Sequence, residues 1–324
     1  MIIQNLNKLI SKFLILSSVF LLIFFWSNYI FGIYYAGDQI AYTRFYTESA
    51  GMNFFETWVF QQGMIGATEP AFALMIYMVN DLFDKPIFMS FSNGILAVLL
   101  LDALKNRNEI WILFFFFIFN YYISVLFFSA ERLKFAFILA LFILKIKNGT
   151  LKNILLITPA LFHFQYLLML PIIYIGMYRS ELNQSLKSLK FRFSISQAVT
   201  TIFIIAIASI IPIYFNSALN DKYLVYADSP NIYDLIRAAL ISIFLIAVSK
   251  EKIISFIVAI YFVVIIFFLG TERIIILEVA YIFATIRLTS EYIYAGFLLI
   301  ATYFIYKSVQ FYSYVFECGH GFIC

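Results

Sequence analysis

Long apolar runs separated by short polar segments make up most of this 324-residue chain. A helix needs about 20 mostly apolar residues to cross the hydrocarbon core of a bilayer. The pattern therefore predicts an all-α, polytopic integral membrane protein with a single membrane domain. Nine runs have a suitable length and composition, at residues 13–34, 86–104, 110–128, 131–147, 195–215, 232–249, 253–270, 273–288 and 292–308.

Two further apolar stretches do not fit a simple span. Residues 70–82 are too short, whereas residues 153–178 are too long for one helix, too short for two, and contain Pro159 and Pro171. Re-entrant or broken helices occur at membrane depth where protein or water satisfies the freed backbone groups. We therefore expect about nine to eleven transmembrane helices, with one or two re-entrant or broken helices among them.

The composition supports burial in lipid. Apolar residues make up 64% of the chain and charged residues only 12%, against about half and about a quarter in soluble domains. Too few polar side chains remain to cover a water-facing surface. The first run follows Lys8 and Lys12 and lacks a small-residue cleavage site, so it predicts a retained first span rather than a cleaved signal peptide.

The basic residues predict the orientation, because cytoplasmic loops are enriched in Lys and Arg. With the N-terminus inside and nine crossings, the inner side holds 14 of the 22 basic residues. The C-terminal tail, residues 309–324, then lies outside, as do two long loops at 35–69 and 216–231. Loops of this length are often functional. The tail holds Cys318 and Cys324, which either pair or remain free thiols.

Most charges that are not in inner loops lie near the outer face in this topology. Ionised side chains at membrane depth are costly and are functional-site candidates by default. Arg132 and Arg273 each follow a Glu and precede an apolar run, and Arg44 and Arg237 lie on the same side. Because a guanidinium stays charged and matches phosphate oxygens, these arginines either bind a phosphate-bearing ligand or anchor helix ends in the headgroups.

Other polar side chains near this face have two interpretations each. Asp38, Glu69 and Glu272 could pair with the arginines or act as a general acid or base. His163 lies in a proline-bracketed segment, where it is a packed residue, a ligand contact or a proton-transfer group. Tyrosines flanking spans commonly lie at the membrane interface, although Tyr35, Tyr42 and Tyr46, which surround Asp38 in one loop, could stack on a sugar ring. Three lysines are interpreted as interfacial anchors: Lys85, Lys222 and Lys307.

Several familiar motifs are absent from the sequence. It contains no GxxxxGK[ST], no GxGxxG after a strand and no HExxH, so ATP hydrolysis and zinc-protease chemistry are unsupported. No metal-ligand cluster is visible, and we expect no cofactor. A transferase without a soluble nucleotide-sugar domain would use a lipid-linked donor.

The order of these features resembles that of a known family. Over residues 13–290 the chain resembles the polytopic bacterial O-antigen and exopolysaccharide polymerases of the Wzy/EpsG-like family. In chain order, the residues that carry the resemblance are Gly37 and Asp38 with Tyr42 and Tyr46, Glu69 before an apolar stretch, Arg132 with Ala136, His163 in FHFQYLL, Lys222 with Tyr223 and Tyr226, and Glu272 with Arg273.

The resemblance implies a GT-C-like glycosyltransferase, inverting or retaining, in the bacterial inner membrane. It would transfer a growing glycan, at the periplasmic face, from undecaprenyl pyrophosphate onto a lipid-linked repeat unit. Its partners would be an undecaprenyl-pyrophosphate-linked oligosaccharide, the bilayer and, as a further candidate, a polysaccharide chain-length regulator, with no nucleic acid.

The resemblance also implies residue roles. Arg132 and Arg273 would hold the pyrophosphate, assisted by Arg44 or Arg237. One of Asp38, Glu69 and Glu272, with His163 as an alternative, would take the acceptor proton. Tyr42, Tyr46, Tyr223 and Tyr226 would contact sugar.

Three other functions fit the same pattern. A transporter or flippase for a lipid-linked saccharide would have midplane charges and repeats, and no repeat is evident here. An O-antigen ligase or a membrane acyltransferase would also work at the outer face. A purely structural protein would leave the outer arginines without a role.

Overall fold

The computed structural model describes residues 2–104, 118–178, 232–248, 252–269, 271–285, 291–322 and 324. Every regular element in this part of the chain is a helix, in agreement with the predicted all-α class. The α-helices are α1 (Ile2–Ile33), α2 (Asp38–Glu48), α3 (Phe54–Ile65), α4 (Pro70–Val79), α5 (Lys85–Leu104), α6 (Tyr121–Phe128), α7 (Glu131–Leu144), α8 (Gly149–Leu155), α9 (Leu170–Met177), α10 (Ile232–Val248), α11 (Lys252–Leu269), α12 (Thr271–Thr285) and α13 (Glu291–Cys318). Two 3-10 helices cover Thr158–Leu161 and Phe164–Met169.

The helices belong to two compact units. Unit 1 comprises Met1–Tyr166 and Ala301–Cys324, and unit 2 comprises Leu167–Ile300. In unit 1, α1 packs along α5. Phe20 of α1 meets Phe91 of α5 edge to face, with ring centroids 5.3 Å apart. Gly94 permits this approach, because a Cβ at that position would lie 2.7 Å from the Phe20 ring.

Residues 35–69, predicted as an outer loop, contain two helices. Asn53 caps α3 by accepting from the backbone N–H of Glu56, while the Glu56 side chain accepts from the backbone N–H of Asn53. This reciprocal capping box satisfies two amides that a helix start leaves open. Gly66 ends α3 in the left-handed region with φ 58°, where glycine is favoured.

Several predicted spans differ from the observed helices. The 110–128 stretch is interrupted at Phe119 and Asn120, because Asn120 caps a new helix by accepting from the backbone N–H of Tyr122. The predicted 131–147 span is the shorter α7, which ends at Leu144. Residues 195–215 and 216–231 lie outside the described residues.

The proline-bearing stretch at 153–178 is broken, as expected. It consists of the end of α8, the two 3-10 helices and α9. Pro159 lies in the first turn of one 3-10 helix, and Pro171 in the first turn of α9. Proline is tolerated at these positions because its missing N–H has no intrahelical partner there.

The C-terminal end of the chain folds back onto the turn after α1. Helix α13 runs ten residues past the predicted span end at 308, to Cys318, and a Cys318–Cys324 disulfide closes the residues that follow. The backbone N–H groups of Tyr35 and Ala36 donate to the Gly319 carbonyl over 3.1 and 2.8 Å. We call residues 318–324 the C-terminal hook. The hook and the α1–α2 turn therefore lie at the same end of unit 1.

Many exposed side chains on the long helices are apolar, whereas several polar ones are buried. On α11, Ile260 and Val264 are about half exposed while Ser255 is buried. On α7, Phe142 is half exposed while Arg132 and Lys134 are buried. Water-soluble proteins usually show the reverse arrangement.

Among the described residues, two helical segments are long and apolar enough to cross a membrane, Ile10–Ile33 and Lys85–Ala103. The length and composition of these two segments are consistent with association with a membrane.

Candidate functional site

The first turn of α7 brings three charged side chains into the interior of unit 1. Glu131 and Lys134 are fully buried, and Arg132 is 7% exposed. An acidic residue in the first turn of a helix is favoured by the helix dipole, but that effect does not compensate for burying three charges. Buried charges require hydrogen-bonded partners, and these partners come from α2, α5, the end of α6 and Glu69, the residue before α4.

Glu69 bridges Arg132 and His163. An Arg132 NH1 group donates to Glu69 Oε2 over 2.7 Å. Glu69 Oε1 lies 3.0 Å from His163 Nδ1 and accepts from the backbone N–H of Phe164 over 3.2 Å. Both carboxylate oxygens are thus engaged. We call Glu69, Arg132 and His163 the bridge cluster.

Local sequence explains why Glu69 is available for this contact. Glu69 precedes Pro70, which occupies the first turn of α4, and a residue before proline is driven to extended backbone. Its φ and ψ are −71° and 120°. The Gln61 side chain amide donates to the carbonyls of Ala67 and Glu69, so α3 holds this strand-like link in place.

The surroundings determine the charge of Glu69. Burial alone would raise the pKa of its carboxyl, but the His163 hydrogen bond and the Arg132 charge outweigh burial and lower the pKa to about 2. Glu69 is therefore ionised at neutral pH. Since a carboxylate bound at Nδ1 fixes ring orientation, proton exchange with a substrate would occur at Nε2.

A second buried ion pair lies beside the bridge cluster. Lys85 Nζ is 3.1 Å from Glu131 Oε1, and it also donates to the side chain oxygens of Gln39 and Thr43. The Gln39 amide donates to the same Glu131 oxygen over 2.9 Å. We call Lys85, Glu131 and Gln39 the lysine cluster.

Tyr42 stands between the two clusters. Its phenol oxygen accepts from Arg132 Nε at 3.4 Å, and Lys85 Nζ lies 5.8 Å from the centre of its ring. Burial raises the Tyr42 pKa, against the opposing effect of the Arg132 charge. Tyr42 therefore remains a neutral phenol at physiological pH.

Aromatic rings exclude water from this region. Phe72 packs against Tyr42 with ring centroids 6.2 Å apart and against Phe135 at 6.1 Å. Phe135 stacks on Phe162, next to His163, at 6.1 Å. In such low-dielectric surroundings, charge–charge interactions are stronger than in water.

Lys134 extends the polar interior between α1 and α5. Its ammonium donates to Asn93 Oδ1 over 2.8 Å and to the Phe127 carbonyl over 3.1 Å. Asn93 in turn donates to Ser27 Oγ over 3.0 Å. The ring of Phe31 lies 5.6 Å from the same ammonium.

The structure brings together only part of the predicted site. Glu69, Arg132, His163 and Tyr42 meet as described. Tyr46 is also buried, but its hydroxyl donates to the backbone carbonyl of Phe83 over 2.7 Å.

Two predicted residues of α2 lie on its exposed side. Asp38 is exposed in the first turn. Arg44 is exposed and forms an ion pair of 2.9 Å with Glu48 one turn later, an arrangement that contributes little to stability.

The remaining predicted residues belong to unit 2 or are not described. Arg237 lies on α10 and is partly buried. Glu272 and Arg273 lie in the first turn of α12, although only their backbone is described. Tyr223 and Tyr226 lie outside the described residues.

The sequence pattern assigns no functional-site role to two buried residues of the lysine cluster. Lys85 had been interpreted as an interfacial anchor, and this interpretation is wrong for the described structure, because Lys85 is 5% exposed and paired with Glu131. Gln39 had no assigned role at all. Its only sequence signal is that it precedes Tyr42 by three residues, which places both on one face of α2.

Within the described parts of the chain, no three His, Cys, Asp or Glu side chains come together as metal ligands. No protein-family model matches the chain, and no curated protein or solved structure matches it either.

Proposed function

We propose that this chain is a polytopic membrane glycosyltransferase that polymerises a surface polysaccharide from lipid-linked repeat units. The observation that carries the proposal is the bridge cluster, in which one ionised carboxylate holds both a histidine and an arginine. A base oriented by a carboxylate and a cation for a diphosphate are the two groups such a reaction needs.

The membrane part of the proposal is supported by the distribution of apolar side chains. Helices α1, α10, α11 and α13 expose large apolar residues, among them Phe13, Leu22, Leu240, Ile260 and Leu299. Exposed apolar side chains of this kind on single helices suit acyl chains rather than water. On this proposal the protein lies in the bacterial inner membrane with the bridge cluster near the periplasmic face.

The proposed reaction transfers a glycan from one lipid carrier to another. A hydroxyl oxygen at the non-reducing end of the acceptor repeat unit attacks the anomeric carbon of the donor glycan. The bond between that carbon and the undecaprenyl pyrophosphate oxygen breaks with its electron pair. The hydroxyl proton passes to His163 Nε2, and the released pyrophosphate carries the negative charge.

Each residue of the bridge cluster has a distinct role in this scheme. Glu69 orients the His163 ring and stabilises its protonated form, as a carboxylate does beside a catalytic imidazole. Arg132 offers its guanidinium to the leaving pyrophosphate, whose charge grows in the transition state. Asp38, exposed in the first turn of α2 of the same unit, remains a candidate for contact with the acceptor.

The experiment is complementation of a deletion strain, with surface polysaccharide read on a gel. Arg132→Ala and His163→Ala should each give single repeat units capped on lipid A-core, with no ladder of longer chains. Lys145→Ala is the matched control, because Lys145 forms a half-exposed ion pair with Asp102 away from the bridge cluster. Long chains in both cluster variants, at wild-type protein level, would refute the proposal.

A second candidate function, transport of a lipid-linked saccharide, is favoured by Lys134. A fully buried cation bonded to Asn93 among apolar helices is typical of polar pathways in transporters. Purified protein in liposomes discriminates the two functions. Translocation of a fluorescent lipid-linked saccharide without chain growth would support transport, whereas chain growth in detergent would support polymerisation. An O-antigen ligase would instead leave uncapped polymer in the deletion strain.

A further inference from the structure

We infer that Lys85 is a positioning residue that keeps Glu131 from taking Arg132 away from Glu69. The inference rests on the proposed function, since its main measurement is polymer formation. It concerns why Lys85 pairs with Glu131 while Arg132 pairs with Glu69, although all four side chains are buried close together.

Chain connectivity creates the conflict. Glu131 and Arg132 are consecutive residues in the first turn of α7, and both are buried. Tyr42 contacts both clusters, with 3.4 Å from its hydroxyl oxygen to Arg132 Nε and 5.8 Å from its ring centre to Lys85 Nζ. The two buried carboxylates and the two buried cations therefore lie around one tyrosine side chain, and an exchange of partners by the long Arg132 side chain is the alternative to the observed pairing.

Glu131 retains capacity to accept another donor. Lys85 and Gln39 both bind its Oε1 atom. Its Oε2 atom is buried and accepts no hydrogen bond from any described residue. An unsatisfied carboxylate oxygen in an apolar interior is costly, so a guanidinium that moved to it would be stabilised there.

Lys85 makes the observed pairing the better one. The positive charge of Lys85 lies beside Glu131 and compensates the charge of that carboxylate. Arg132 therefore pairs with Glu69, over 2.7 Å. Without Lys85, Glu131 would lose its ion-pair partner and keep the Gln39 amide and the more distant charge of Lys134. Arg132 would then turn to Glu131 and release Glu69, and the orientation of His163 would be lost with it.

This mechanism predicts an asymmetric set of variants. Lys85→Met should lower the amount of polymer about tenfold or more, because it leaves an uncompensated buried carboxylate. Glu131→Gln removes the competing anion and leaves Lys85 its bonds to the Gln39 and Thr43 oxygens. It should retain about half of the wild-type polymer or more, because a buried lysine can also lose its proton, which a buried carboxylate without a cation cannot match by staying ionised. The double variant K85M/E131Q should form about as much polymer as E131Q, since the effects of substitutions within one hydrogen-bonded network are not additive.

The controls separate this inference from the proposed function. Lys145→Met removes a lysine from a half-exposed pair and should leave polymer formation unchanged. Arg132→Ala, measured alongside, tests the function itself: if it forms long chains, the proposed function fails, whatever Lys85 does.

Two results would overturn the inference while leaving the function intact. One is a double variant as inactive as K85M at equal protein level, which would mean that Lys85 has a role of its own. The other is equal loss in K85M and E131Q. Should K85M fail to accumulate in membranes, the comparison is made on accumulation, where rescue by E131Q supports the inference and failure of rescue contradicts it.

Discussion

The Glu69 carboxylate is stable in an apolar interior because it has three donors from separate groups, one of them a charged guanidinium. Its donors are Arg132 of α7, His163, and the Phe164 N–H at the start of a 3-10 helix. Hydrogen bonds to charged groups are stronger than neutral ones. Removing any donor therefore leaves part of the burial penalty uncompensated.

The first prediction concerns the pH dependence that Glu69 gives to stability. Its pKa falls from 4.5 to about 2 on folding, so the contribution is fully present above about pH 4.5 and is lost as pH falls towards 2. The difference between the two pKa values corresponds to about 3 kcal/mol. Thermal unfolding of both purified proteins from pH 7 to pH 3 should show that the wild type is more stable than Glu69→Gln at pH 7. This difference in stability should shrink as the pH falls below about 4.5.

Glu48→Gln is the control for this measurement. Glu48 is half exposed and pairs with Arg44 within one helix, so its loss should change stability by less than about 0.5 kcal/mol at any pH. If the stability difference between wild type and Glu69→Gln stays constant down to pH 3, the neighbours of Glu69 do not lower its pKa.

Single residues of the site could be selected from the sequence, but their pairing could not. The sequence indicates Arg132, Glu69 and His163 as candidates because an ionisable side chain inside or beside an apolar run is costly to bury and commonly functional. Lys85 was misjudged because a lysine before proline at the start of a helix is also typical of an interfacial anchor. Its partners Gln39 and Glu131 lie 46 residues away on either side, a distance over which sequence spacing carries no geometric information.

At the scale of elements, the contact between α1 and α5 depends on the absence of a side chain at Gly94. A Cβ there would lie 2.7 Å from the Phe20 ring and 3.2 Å from the Phe20 carbonyl oxygen. The ring could rotate, but the backbone oxygen can yield only if the two helices separate.

The second prediction is that Gly94→Ala destabilises unit 1 by about 1–3 kcal/mol, the usual effect of overpacking. Gly63→Ala is the matched control, because Gly63 lies in α3 with nothing within 4 Å of its added Cβ. There the higher helix propensity of alanine should leave stability unchanged or raise it by up to about 1 kcal/mol. Thermal unfolding of both variants checks this, and equal effects would contradict the close α1–α5 approach.

Helix bounds were predictable where long apolar runs had clear ends. The predicted 86–104, 232–249 and 253–270 stretches each match an observed helix to within one residue. The two helices in 35–69 were missed because their composition is polar and aromatic, without a clean apolar period. The local signal that would have revealed α3 is the Asn53-x-x-Glu56 pattern, which forms a capping box.

At the scale of the whole molecule, the C-terminal hook restricts the topology. Two backbone hydrogen bonds join Gly319 to the residues that follow α1. If α1 crosses a membrane, the C-terminus must therefore lie on the side opposite to the N-terminus. The disulfide in the hook is consistent with an oxidising compartment on that side.

The third prediction is that tags at the two ends of the chain are accessible from opposite sides. An epitope before Met1 should be reached by antibody only in inverted vesicles, and one after Cys324 only in spheroplasts. The unreduced protein should also take no iodoacetamide, since both cysteines are paired. Tags reached from the same side would mean that α1 does not cross or that the hook is released in the membrane.

The fourth prediction tests whether the apolar exterior faces lipid or water, using Ile260→Lys. Ile260 is half exposed on α11, and in water an exposed Ile→Lys change alters stability by less than about 0.5 kcal/mol. At the middle of a bilayer the same lysine is disfavoured by about 3 kcal/mol. Ile260→Lys should therefore reduce the protein recovered in membranes severalfold.

Leu82→Lys provides the contrast that makes this result interpretable. Leu82 is 71% exposed in the turn between α4 and α5, at the end of the helices where a lysine can reach headgroups or water. Its recovery should match that of the wild type, because the added charge is never placed among acyl chains. Equal recovery of both variants, or an Ile260→Lys protein that is soluble without detergent, would show that α11 does not face lipid, and the inward-facing polar side chains would then require a different explanation.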